Sequence, residues 1–150
     1  MYKQIKVPNT FFRWHAKHIF PIYPAHSGSR VSQRRINRLK PLAMAILQQE
    51  EKKIETTFRT YLRKKYQGRI KVNLGLGLNK IQQAKLCPSD EGMYGESDET
   101  TIWVAKDKLS DSHLLGVLLH EALHYMCTID GRDVNTADEH KVMQLLGDDC

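Results

Sequence analysis

At 150 residues and 41% hydrophobic side chains, the chain has enough length for one compact domain with a real core and too little for two comfortable ones. No apolar run approaches the roughly 18 to 20 residues of a membrane span, and the first residues lack the continuous apolar core of a secretory signal. A soluble intracellular monomer without membrane contact, cytoplasmic or nuclear, is therefore expected. The net charge of +6 is unevenly held: residues 1–49 carry nine Lys or Arg and no acid, while the remaining 101 carry 14 basic and 17 acidic groups.

Residues 1–30 mix those cations with Tyr2, Phe11, Phe12, Trp14, Phe20, Tyr23 and three prolines, with no sustained periodicity, which reads as an irregular basic arm ahead of a domain over 31–150. Cations for phosphates and flat rings for bases are what a surface for single-stranded or damaged DNA needs. The same composition also suits packing onto the domain, or an organelle transit peptide.

A helix is plausible from about Ser32, but the clearer signal runs from Pro41, favoured at a first helical turn, to Tyr66, with Leu47, Ile54, Phe58, Tyr61 and Leu62 in step. Next, "RIKVNLGLGL" alternates Ile70, Val72, Leu74, Leu76 and Leu78, the period of a half-buried strand. Its Gly75 and Gly77 lack the third glycine and following helix of a dinucleotide fingerprint. A polar turn over Ser97 to Thr100 leads into a strand around Thr101 to Ala105. Ser110 or Asp111 caps the following helix, and Asn135 or Thr136 caps a last short one that ends before Gly147. Cys87, Cys127 and Cys150 are odd in number and match neither a disulfide framework nor a zinc ribbon, which leaves reduced thiols.

The chemistry lies in "LLGVLLHEALHYMCTIDG", where His120-Glu121-Ala122-Leu123-His124 fits H-E-x-x-H. Residues four apart on a helix are separated by about 40° around the axis and roughly 6 Å along it, so both imidazoles lean over one spot and can share a metal ion. Glu121 sits about 100° further round, where a general base for a metal-activated water belongs. The leucines around the motif make burial of three titratable groups costly, and a dication offsets that cost.

Catalytic zinc sites usually take three protein ligands. Cys127 lies roughly 10 Å along a straight helix from His120 and reads as packing. Asp130 holds the third-ligand position of the metzincin pattern, but Cys127 replaces the glycine that pattern requires. Glu139 and His140 both lie on the last helix, after a loop long enough to fold back; Glu139 would be the gluzincin solution. His15, His18, His26 and His113 are read as having no metal role.

The succession of a basic helix, strand, polar turn, "TIWVAKDKL", "LLHEALH" and a later histidine resembles the SprT-like metalloprotease domain, the catalytic module of DNA-dependent proteases such as Spartan, over roughly Pro41 to Gly147. The resemblance implies an α+β, zincin-like fold, a few-stranded sheet packed with the active-site helix and flanking helices. It implies Zn2+ held by His120, His124 and His140, Glu121 as catalytic base, a protein or peptide substrate bound to or crosslinked with DNA, and the Trp103 strand as the edge that receives the substrate backbone. In that family the third histidine usually lies in an H-G-x-x-(F/W) context, whereas this chain reads "DEHKVM". The other readings of the same residues are a gluzincin-like peptidase with no DNA role and a non-catalytic nucleic-acid-binding module with structural zinc.

Overall fold

The computed structural model describes residues 30–88 and 93–147. The basic arm, apart from Arg30, and Cys150 lie outside that range. Within it the fold is a small α+β unit of five helices and two three-stranded sheets. Among the described residues no helix is long and apolar enough to cross a membrane.

Helix α1 (Gln33–Gln49) starts at Ser32, whose side chain accepts from Arg35 N, and buries Ile36, Leu39, Ala43, Ile46 and Leu47 along one face. Pro41 lies inside α1, about two turns from its start, rather than in a first turn. It sits on the exposed side, where losing one backbone donor exposes no buried acceptor. The expected single helix from Pro41 to Tyr66 is instead broken at Glu50 (φ −96°, ψ 10°), and α2 (Glu51–Arg63) follows at once. One residue that barely leaves helical dihedrals hardly disturbs the period, so Leu47, Ile54, Phe58 and Leu62 are all buried across the break.

The expected strand over 70–78 is corrected. Only β1 (Ile70–Val72) is extended, and α3 (Leu74–Gln82) begins two residues later. Asn73 caps it by accepting from Leu76 N at 3.2 Å, which favours the helix over continued alternation. Leu74, Leu78 and Ile81 also satisfy helical spacing, so the pattern served both periods. Gly77 has a packing reason: a Cβ there would stand 2.7 Å from Met126 Sδ and 2.9 Å from Leu47 Cδ2. A bare backbone lets α3 approach both.

Strands β2 (Lys85–Leu86), β3 (Gly95–Ser97) and β4 (Ile102–Val104) form a sheet in the order β2-β4-β3, parallel for β2/β4 and antiparallel for β3/β4. Trp103 is therefore on the central strand, and the expected edge role of its strand is corrected: β2 and β3 are the edges, and a turn that begins at Ser97 and folds back on Asp98 joins β3 to β4. The Asp98 carboxylate accepts from Thr100 N and Thr101 N at 2.8 Å each. Helix α4 (Asp111–Leu123), capped by Ser110, packs on β3, β4, α1 and α3. After it, β5 (Cys127–Ile129) pairs with both β1 and β6 (Arg132–Asp133), and α5 (Thr136–Leu145), capped by Asn135, closes the described chain.

Candidate metal centre

Helix α4 is apolar nearly all round. Leu114, Leu115, Leu118, Leu119, Ala122 and Leu123 are fully buried against the surrounding helices and sheet. Its start is tied to α1: Asp111, 2% exposed, receives Arg35 Nε at 3.0 Å and Nη2 at 2.6 Å, and Arg38 Nη2 at 2.6 Å. Two of the acid-poor segment's cations thus serve the fold. The helix stops at Leu123. His124 is extended (φ −62°, ψ 138°), and Tyr125 has φ 68°, a left-handed conformation uncommon for a bulky residue.

That sharp exit redirects the chain into the β5–β6 hairpin, whose turn residues Asp130 and Gly131 both have positive φ (51° and 77°), as a two-residue turn of this kind demands. The hairpin returns the chain so that α5 lies against α4. Asp138, Glu139 and His140 are then near the α5 N-terminus, where Asn135 Oδ1 accepts from Asp138 N at 2.9 Å and the two acids favour the helix dipole.

These movements bring His120, His124 and His140 together. One ligand atom from each lies within 4.8 Å of the others, and the three ring centroids are 5.0 to 5.1 Å apart. His120 Nε2 and His124 Nε2 stand 3.2 Å apart. Glu121, 8% exposed, places Oε2 3.9 Å from His120 Nε2.

Glu139, 3% exposed, is turned to other partners: Oε1 pairs with His124 Nδ1 at 2.8 Å, and Oε2 accepts from Tyr125 N at 2.8 Å. A carboxylate accepts, so this contact favours the proton on Nδ1, the tautomer that leaves Nε2 as the metal-binding atom. Asp130 is exposed at the hairpin turn and accepts from Arg69 N, and Cys127 is buried on β5, where burial pushes its thiol up to about 12. Neither joins the cluster. His113 Nδ1 contacts Ser110 Oγ at 3.0 Å, part of the α4 cap.

The residue types fit a bound metal ion. A tetrahedral ion with metal–nitrogen bonds of about 2.0 to 2.1 Å sets ligand nitrogens about 3.3 Å apart, close to the separation of the two Nε2 atoms. The Glu139 contact is the carboxylate–histidine arrangement that fixes the ring and tautomer of a metal-binding imidazole.

Sequence reasoning missed Lys80. Fully buried on α3, its Nζ donates to Glu121 O and His124 O at 2.7 Å each and lies 5.2 Å from the Tyr125 ring centre. Burial pulls its pKa down to about 8, with Glu121, Glu139 and Asp98 pulling the other way. The available signal was a single lysine amid the apolar periodicity of "LGLGLNKIQ". An acidic hollow of about 370 Å3, lined by Asp98, Glu99, Thr100 and Tyr125, also went unread.

No family model, curated protein or solved structure matches the chain.

Proposed function

We propose that the chain is a zinc-dependent metallopeptidase. The observation that carries this reading is the cluster of His120, His124 and His140 with Glu121 beside it, on a helix otherwise packed with leucine. In this reading His120, His124 and His140 would hold Zn2+, which would supply an acidified water and a Lewis acid for the substrate carbonyl. Glu121 takes the proton of the attacking water and delivers it to the leaving nitrogen, while Glu139 holds the His124 ring through Nδ1. The substrate backbone runs along β3, whose outer edge has no strand partner among the described residues. Gly95 supports this choice of edge. A Cβ there would fall 2.8 Å from Val117 Cγ1 and 3.3 Å from Glu121 Cγ, so glycine brings the strand close over the base.

Glu121→Gln is the decisive variant. Peptide turnover is expected to fall by at least about a hundredfold, the scale of a general base, with Zn2+ content unchanged. Retained turnover would reject Glu121 as the base, and an unaltered chain that binds zinc without peptide turnover would favour a structural zinc module.

The proposed substrates are proteins bound to or crosslinked with DNA. That part rests on the acid-free stretch of residues 1–49 and on the SprT-like resemblance. Single-stranded DNA should bind the full chain with an affinity that falls steeply with added salt, and replacing Lys3, Lys6, Arg13 and Lys17 by Gln should flatten the slope. Binding indifferent to both would leave a peptidase without a DNA role.

A further inference from the structure

We infer that Lys80 is a positioning residue of the metal site, holding open the chain reversal that presents His124. This rests on the metal-site reading above. In a helix continuing past Leu123, the Glu121 carbonyl would accept from Tyr125 N and the His124 carbonyl from Thr128 N. Neither donor is available. Tyr125 N bonds to Glu139 Oε2, and Thr128 has moved into β5. The ammonium of Lys80 takes over both carbonyls at 2.7 Å each.

The consequence is a clamp on one peptide unit. Between His124 and Tyr125, the C=O is held by Lys80 and the N–H by Glu139, whose other oxygen pairs with the His124 ring. The carbonyl of this peptide is fixed from α3, and its N–H and the imidazole are fixed from α5. The approach that lets a lysine reach so far is supplied on its own helix: Gly77, one turn before Lys80, abuts Met126 just beyond the clamped peptide. Without the ammonium, the buried Glu121 carbonyl and the part-buried His124 carbonyl lose their donor, and the chain satisfies them by extending the helix, which draws Tyr125 N off Glu139 and turns the His124 ring.

Lys80→Met in the full chain removes the donors while keeping length and bulk. Zn2+ affinity by chelator competition should weaken about 10- to 100-fold, the scale of an outer-shell loss, and the visible absorption of the Co2+-loaded protein should change. Ile81→Val, buried on the same helix, is the control for general loosening of the core. It should leave both readouts as in the unaltered chain.

Native affinity and spectrum in Lys80→Met would overturn the inference, and so would an equal loss in Ile81→Val. If Lys80→Met does not fold, the unaltered chain decides by NMR. Couplings across hydrogen bonds from Lys80 Nζ to the carbonyl carbons of Glu121 and His124 support the clamp, and the absence of either overturns it. An unaltered chain that binds neither ion rejects the zinc reading and this inference with it, whereas equal binding by Lys80→Met rejects the inference alone.

Discussion

Glu139 and His140 are neighbours in sequence, and once α5 packs on α4 either can reach the H-E-x-x-H pair. About 100° of helical rotation separates their side chains, and in the fold that angle sends the carboxylate to His124 Nδ1 and Tyr125 N while the imidazole joins the other two rings. The two roles predict different losses. His140→Ala should abolish stoichiometric Zn2+ binding. Glu139→Gln should keep the ion but bind it about 10- to 100-fold more weakly, because an amide still accepts from Tyr125 N and orients the ring less well. Metal analysis after dialysis separates them. Stoichiometric zinc in His140→Ala with none in Glu139→Gln would exchange the roles. The i, i+4 geometry made His120, Glu121 and His124 visible as a set from the sequence. Lys80 was not, because its partners are carbonyls 41 and 44 residues away, and carbonyls carry no sequence signature.

Between elements, α5 is held to α2 by Asp138. Its carboxylate, 3% exposed, accepts from Tyr61 Oη at 3.1 Å, Lys65 Nζ at 2.7 Å, Tyr66 Oη and Asn135 Nδ2 at 3.1 Å. Burial raises this carboxyl, but the bonds from Lys65, Tyr66 and Tyr61 outweigh it and leave it below the usual range. A carboxyl depressed on folding stabilises above its unfolded pKa of about 3.9, and that contribution is lost as pH falls through the lower folded value. Asp138→Asn should therefore lower stability at pH 7 and flatten the acid limb of the denaturation curve below about pH 4. An unchanged acid limb would remove the link. Such links connect residues more than 70 positions apart, so no local pattern reports them. What local patterns did report follows their physics: the caps at Ser110 and Asn135 were legible because a cap acts within three residues. The alternation from Ile70 to Leu78 misled because Leu74, Leu78 and Ile81 fit a helix face as well as a strand. The Asp130-Gly131 hairpin was equally local, but Asp130 also fits the third-ligand position of the metzincin pattern.

Among the described residues, most of the buried polar groups lie near the histidines. Lys80, Glu121 and Glu139 lie beside the histidines, Asp138 anchors α5, and Ser110 and Asp111 serve the opposite end of α4. Two buried carboxyl groups and one buried lysine are costly to bury as charges, and a cation held by the histidines would offset part of that cost. Metal binding should therefore act on global stability rather than on the site alone. A ligand that binds only the folded chain adds about 2.7 kcal/mol at a hundredfold excess over its Kd. For a chain of this size that corresponds to a rise in Tm of about 5 to 10 °C, and a chelator should reverse it. His124→Ala should show neither shift, because it removes the imidazole that bridges Glu139 to the cluster. Calorimetry of both proteins with and without Zn2+ measures the difference directly. An equal Tm response in His124→Ala would mean that the ion stabilises the fold from somewhere other than the three histidines.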